Sequence, residues 1–572
     1  VYLAGWSKQQ IDITPDGHAM HGYGQPGHRA YSVHSPLFAR AVFLAEAQGA
    51  GLMFCCLDLG YVTHAMRDGI CRELQARMGD AFREERLVLT CTHTHSGPGG
   101  CSHDVMYNLV TPGFLPAHVE AIVLAACSAI LAAWRSAAPT ELSLAEGEFA
   151  PSVPVAWNRS LAAYNRNPDA VKRAATETHL AIDRRMSVLA FRREGRVGAL
   201  LSLFGVHATC VGSRQSAFDG DNKGYAAAHA ERELAMAGAE GAVAIFAQAT
   251  AGDVSPHYHG PGDIAQREQI KGAAEYVYAE RNGRYQSERA LALLAEAGVP
   301  VEGAIDSIFS YADFTAIQAD PAYADGDDAA FTSEPCHGVA FFAGTRVDGP
   351  GMPAPAVFAA RLAARAVKAM RLRRPGRFTP GEQACHRRIY AAQGVKDILM
   401  ESGRKKVLGA SLDRILLPGF SDPVVGELKR QVAQGAVRES AMVPTVLPLQ
   451  IVRLGTLAIV CCPGEFTTLA GRRLRDTVAG LLALHGIRHT LLCSYCNDYM
   501  GYVTTREEYQ EQAYEGGHTV FGQWTLAAFQ TKFAELAREL RRPGPDRRHD
   551  RTTRPAPAPA AELALRSNLP AR

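Results

Sequence analysis

The chain has 572 residues, 47% of them hydrophobic, with 60 Lys and Arg against 58 Asp and Glu. That length allows a large core and two or three domains, and a net charge of only +2 excludes a chain built to cover a phosphate backbone. With 53 Gly and 31 Pro the composition suits a loop-rich α/β protein and excludes collagen, coiled coil and wholesale disorder.

In chain order, apolar runs alternate between strand and helix length, the pattern of an α/β (α+β layered) fold with a mixed sheet flanked by helices. No charged-then-apolar leader opens the sequence. Leu52–Leu57 and Leu87–Thr92 predict strands, and Pro116–Trp134 predicts a helix. Its most apolar part, Ala121–Trp134, is shorter than the roughly 20 residues of a membrane span, so a buried helix and no transmembrane segment are expected. Ala199–Val206 and Ala242–Ala249 predict strands on either side of a helix at Gly224–Met236. Residues 258–334 are weakly patterned and predict an inserted lobe or long excursion. Then follow a helix at Pro355–Met370, strands at Leu449–Val452 and Leu457–Cys462, a helix at Thr467–Leu484, a strand at Thr490–Tyr495 and a helix at Trp524–Leu540. Residues 1–540 read as one domain. From 541 to 572 eight Arg face three carboxylates among Pro and Ala, which predicts a basic, disordered tail. The body before it is close to neutral, so no nucleic acid partner is expected. Thirteen Cys, an odd count with several in apolar runs, slightly favour a reduced, cytoplasmic setting; a removed leader would mean a secreted or periplasmic one.

Five predicted strands end in polar clusters, and the carboxyl ends of strands are where α/β sites assemble. The first is THTHSGPGG, with His93 and His95 two apart and thus on one strand face. They suit one metal ligand and one proton-transfer partner, or two ligands. His207 ends ALLSLFGVH and Glu465 lies in PGEF; singly they read as a core histidine and a helix-start carboxylate. Together with His93 they make the two-His, one-carboxylate set of a catalytic zinc, leaving a fourth position for water or a tyrosine. Ser255 lies in GDVSP rather than a GxSxG elbow. Asp253 and His257 accompany it, Asp498, Tyr499 and Tyr502 end the fifth run, and Arg159 is an Arg able to clamp a carbonyl or carboxylate. GDNKG at 220–224 reads as a positioning loop or a helix start.

With IDITPDGHAMHGYG, THTHSGPGG, NRS, IDRRMSVLAF, FGVHAT, GDNKGYA, FAQATAGDVSP, FFAGTRVDGPG, PGEFTTLAGRRLR and YVTTREEYQEQAYEGGHTVFGQWTLAAF in order, the chain resembles the neutral (alkaline, non-lysosomal) ceramidase family across nearly its whole body. The resemblance implies a zinc amidohydrolase, with one zinc per chain, that cleaves ceramide to sphingosine and a fatty acid. By motif, it implies His93, His207, Glu465 and Tyr502 as ligands. It further implies His95, Arg159 and Tyr514 for proton transfer and polarisation, Ser255 beside the scissile carbonyl, and Gly22 in backbone contact with substrate. Water activated by zinc is favoured as nucleophile, with direct attack by Ser255 as the alternative. Members of the family carry a C-terminal β-sandwich domain, which is not seen after Leu540 here. Another N-acyl amide on the same zinc site is therefore the second substrate expectation, and a lipid-binding protein without catalysis the rival class. Peripheral membrane contact is compatible with a lipid substrate.

Overall fold

The computed structural model describes residues 2–47, 51–111, 113–257, 269–345, 347–415, 419 and 423–568. Two sheets lie at its centre. The larger has the order Val243–Ala247, Arg196–Leu203, Arg185–Arg193, Ala138–Glu148, Tyr2–Gln10, Phe38–Ala45, Leu52–Leu57, Leu87–Cys91, with the short Val299–Pro300 beside Ala138–Glu148. It is mixed: the pairs at its two ends are parallel and those between them antiparallel. The smaller has the order Ile305–Asp313, Val446–Leu454, Leu457–Cys461, His489–Cys493, and its last pair is also parallel.

The layers follow from which residues are apolar on both faces. Leu189, Leu201 and Ile245 of the large sheet share one buried cluster with Val452, Ile459 and Leu491 of the small one, so the sheets pack face to face. The large sheet turns its other face to helices His64–Met78 and Pro116–Arg135 at one end and to Asp221–Met236 and Ala273–Ala295 at the other. The small sheet is covered by Thr468–Leu482 and Thr525–Leu540. The result is a helix–sheet–sheet–helix sandwich. Thr63 and Thr467 start two of these helices by accepting the amides of Met66 and Ala470, which satisfies N–H groups that have no partner inside the helix. Pro116–Arg135 is the one described helix long and apolar enough to cross a bilayer; its Ile122, Ala126 and Ile130 are instead buried against the large sheet.

Strand ends and helices fall within a few residues of their expected positions, but two expectations are corrected. Residues 258–334 are no excursion. Beyond 258–268, which lie outside the described residues, they supply the 23-residue helix Ala273–Ala295 and the edge strand Ile305–Asp313. The helix reads weakly because its buried face has only Tyr278 and Leu293 as large apolar residues, the rest being Ala, Glu275, Asn282, Gly283, Gln286 and Ser287. The tail is not free either: Arg547 pairs with Asp306, and helix Ala560–Ser567 seats Glu562 on the amides of Glu439 and Ser440. Arg566 there is 1% exposed and donates to the carbonyl of His103. Specific ion pairs and caps order a segment that lacks apolar surface; 569–572 lie outside the described residues. GDNKG is the start of helix Asp221–Met236, with Lys223 buried and donating to the carbonyl of Phe204.

Candidate active site

The five strand ends are tied to one another. Gln248, just past Val243–Ala247, donates to the carbonyls of Thr92 and Val206, and its own carbonyl accepts the Ser494 amide. The segments that continue from these ends are cross-linked by two-residue ladders. Glu465–Phe466 runs parallel to Tyr502–Val503 with Glu465 opposite Tyr502, and Val254–Ser255 pairs with Trp157–Asn158. Side chains 37 residues apart are thereby held side by side.

His93 and His95 converge, though not by the expected route. The strand stops at Cys91, and His93 has φ +64°, a left-handed conformation uncommon for residues other than glycine. Its Nδ1 bonds the carbonyl of Gly60 at 2.6 Å, and its Nε2 lies 3.1 Å from His95 Nε2. A turn, not the alternation of a strand, brings the two rings together.

His207 mirrors His93, with Nδ1 3.1 Å from the Val254 carbonyl. Each Nδ1 therefore carries the proton, and each Nε2 faces Glu465: His93 at 3.3 Å from Oε1 and His207 at 3.0 Å from Oε2. Tyr499 and Tyr495 hydroxyls donate to the same two oxygens at 2.5 and 3.2 Å. Burial disfavours a charged Glu465, yet His93 and His207 hold its carboxyl well below the usual range. Tyr502 Oη is 3.2 Å from His207 Nε2. Two imidazole nitrogens, a carboxylate and a phenol oxygen thus surround a point that demands positive charge, met by protons on the rings or by a metal ion. With Nδ1 of both rings bonded to main-chain carbonyls, as metal-bound histidines are commonly oriented, this donor set fits zinc. His95 also has a nitrogen within 4.8 Å of the ligand atoms of His93 and His207, so the three histidines form an alternative cation cluster. Its Nε2 faces the His93 Nε2 lone pair, however, and its Nδ1 is buried with no hydrogen-bond partner among the described residues. Burial and the neighbouring His93 hold its pKa well below the ordinary histidine value.

Arg159 backs this centre. Its Nε bonds Glu515 and its Nη1 bonds Asp348, both at 2.8 Å; its Nη2 reaches the Gly252 carbonyl at 3.0 Å and Tyr502 Oη at 3.1 Å. Every guanidinium nitrogen is engaged by protein, so Arg159 touches the centre through Tyr502. Asp348 also accepts from Ser255 Oγ and Thr209 Oγ1, each at 3.0 Å. Burial alone would raise its pKa, but Arg159, then His257 and His207, hold it well below the usual carboxylate range. Tyr514 is half-buried, its ring 5.6 Å from the Arg159 guanidinium and 5.3 Å from the Tyr502 ring. Gly22, with φ +137°, lies against His95; a Cβ there would sit 2.4 Å from the His95 ring. Its requirement for glycine therefore comes from His95. Tyr23, Phe341, Gly349 and Tyr514, all partly exposed, form the rim.

The nine residues to which the resemblance assigns a role gather in this region. Asp348, Glu515, Tyr495 and Gly60 went unnoticed, and Tyr499 was passed over for Tyr502. Asp348 stands in TRVDGPG, a segment read for its resemblance alone; a lone acid before Gly-Pro-Gly was the available signal. Gly60 acts through its carbonyl, which no residue type reveals. Asn158 is buried and donates to Asp253 Oδ2 and the Ala181 carbonyl. Cys493 and Cys496 are buried free thiols.

Residues 2–408 and 429–531 match the family described as neutral/alkaline non-lysosomal ceramidase, N-terminal. The chain belongs to this family. It is 32% identical to a neutral ceramidase of Pseudomonas aeruginosa over 94% of this chain and 72% of that one. It is 33% identical to a neutral ceramidase of Mycobacterium tuberculosis over 93% and 76%. A solved structure titled as a ceramidase complexed with C2 superposes with a TM-score of 0.76 at 31% identity, over 94% of this chain and 75% of that one. The ceramidase-family chain is thus a hydrolase by kinship, and its fold is that of a solved ceramidase.

Proposed function

We propose that the protein hydrolyses the amide bond of ceramide to a sphingoid base and a fatty acid, with one zinc ion held by His93, His207, Glu465 and Tyr502. The observation that carries this reading is the convergence of those four side chains on one buried point in a chain of this family. When bound, zinc supplies a Lewis acid for the carbonyl and makes water acidic enough to attack near neutral pH.

The chain's own residues do the rest. Gly60 and Val254 carbonyls fix the tautomers of His93 and His207, so both present Nε2 lone pairs. Burial and Glu465 push the Tyr502 phenol well above its ordinary pKa; Arg159, donating to its Oη, opposes them and acts as a positioning residue. His95, with an unpartnered Nδ1, is the group free to carry a proton to the departing amine. Tyr514 at the rim is placed to donate to the substrate carbonyl.

Ser255 is better suited to orient substrate than to attack it. Its hydroxyl proton points at Asp348, and among the described residues no imidazole bonds its Oγ; His257 Nε2 goes instead to the Thr209 carbonyl at 2.7 Å. Held well below the usual range by Arg159, Asp348 is a poor base for a serine. Ser255→Ala should lower kcat by about 10–100-fold, and no acyl-enzyme should be trapped on rapid quenching; an acylated Ser255 peptide would reverse the assignment.

The deciding experiment measures zinc per chain and fatty-acid release from a panel of N-acyl amides that includes ceramides of several chain lengths. Near one zinc with ceramide as best substrate is expected; one zinc with preference for a soluble amide would move the substrate and keep the site. His95→Ala should retain zinc and lose at least about 100-fold in turnover. Loss of zinc there would make His95 a ligand.

A further inference from the structure

The segment that brings Asp348 to Arg159 runs on into an exposed helix. Gly344–Thr345 and Gly349–Pro350 form a short hairpin, and helix Ala354–Arg373 follows four residues later. The inner face of this helix is accounted for: Val357, Ala360 and Ala364 cluster with Val339 and Leu399, and Arg371 is buried against Glu401 at 2.6 Å.

Its outer face is not what water favours. At about 100° per residue, Phe358, Leu362, Ala369 and Leu372 fall in one stripe about 21 Å long, interrupted by Arg365, which lies within it and is paired with Asp397. Phe358 is 66% exposed, Leu362 51% and Leu372 38%, and among the described residues no other helix exposes more than one large apolar side chain. Charge is as one-sided. The helix contains Arg361, Arg365, Lys368, Arg371 and Arg373 and no Asp or Glu. Arg365 is paired with Asp397, but among the described residues Arg361 and Arg373, on the two edges of the stripe, and Arg374 just beyond have no carboxylate in ion-pair reach. An apolar stripe edged by unpaired cations is the pattern of a helix that lies in a lipid–water interface.

We propose that the outer face of Ala354–Arg373 docks the protein on anionic bilayers, side chains Phe358, Leu362 and Leu372 entering the acyl boundary and Arg361, Arg373 and Arg374 meeting lipid phosphates. The choice of a lipid surface rests on the reading of the substrate as ceramide. The hairpin that precedes the helix carries Asp348 and the rim residue Gly349, so a docked helix holds the mouth of the site next to the membrane in which such a substrate resides.

Co-sedimentation with two kinds of vesicle tests this: phosphatidylcholine alone, and phosphatidylcholine with roughly one third phosphatidylglycerol. The protein should partition onto the anionic vesicles and be released by salt. Phe358→Ser with Leu362→Ser, and separately Arg361→Glu with Arg373→Glu, should each lower the partition roughly tenfold or more. Hydrolysis of a detergent-dispersed short-chain substrate should be unchanged in both. The catalytically dead His93→Asn protein should bind vesicles like the parent, so failure of docking and failure of the proposed reaction are read separately. Equal partition of parent and variants, or equal binding to neutral vesicles, would overturn the proposal. So would a concentration-dependent dimer, seen by light scattering, that the Phe358 and Leu362 substitutions abolish, because the face would then belong to a second copy.

Discussion

Replacement of His93 removes both zinc and hydrolysis: the expected zinc content falls from near one per chain to near none, and turnover falls by several orders of magnitude. His93 is 2% exposed, its Nε2 faces Glu465 and its Nδ1 is bonded to Gly60, so its imidazole is held in place at the centre, and a substitute nitrogen would have to come from His95, 3.1 Å away. The residue's φ of +64° dictates the choice of variant. Asparagine tolerates the left-handed region better than most residues, so His93→Asn removes the imidazole with the least backbone strain. Its thermal melt should match that of the metal-stripped parent, which separates loss of the ligand from loss of the fold. Full activity in a metal-free His93→Asn protein would sink the assignment of the centre.

The second large effect is expected at Arg159. Its side chain lies between Asp348 and Glu515, both buried, and Arg159→Met leaves those carboxylates with no cation. Removing one partner of a buried ion pair costs about 3–5 kcal/mol, because the remaining charge cannot be rehydrated. Urea unfolding at neutral pH should show a loss of that size, and turnover should vanish as Tyr502 loses its donor. The pH dependence carries the sign. In the parent, Arg159 depresses the Asp348 pKa, so its contribution is present above the unfolded value of about 4 and is lost as pH falls toward the folded one. The stability gap between parent and variant should therefore narrow as pH falls, first above about pH 4 as the buried Asp348 that has lost Arg159 takes up a proton, and then below it as the parent loses its ion pair. A gap that stays constant with pH would mean that lost packing, not lost charge pairing, sets the effect. Asp348→Asn in the Arg159→Met background should recover part of the stability.

Much of this molecule was legible before its fold. Apolar runs of strand length, each with a polar end, gave the strands and the side to which the chemistry belongs. The run LMFCCL is strand Leu52–Leu57, buried on both faces, because no alternation interrupts its apolar pattern. The collinear motifs identified the family, since each keeps unusual residues at fixed spacing. Legibility failed where burial is achieved without apolar side chains. Helix Ala273–Ala295 hides amides and small residues, and Glu562 and Arg566 anchor a tail whose composition looks unstructured.

By itself the sequence determined which residue types were on hand for the chemistry: two histidines in THTH, a third after an apolar strand, a carboxylate in PGEF and tyrosines beyond. Local order and spacing encode those choices. Only the tertiary structure decided how they divide the work. The left-handed turn at His93, the ladder that sets Glu465 opposite Tyr502, and the carbonyls of Gly60 and Val254 assign each nitrogen its proton. Asp348 and Glu515 acquire their importance only by meeting Arg159 across 189 and 356 residues of chain. Side-chain direction, main-chain carbonyls and long-range ion pairs exist only once the layers have packed, and in this protein they set His95 apart from His93 and His207.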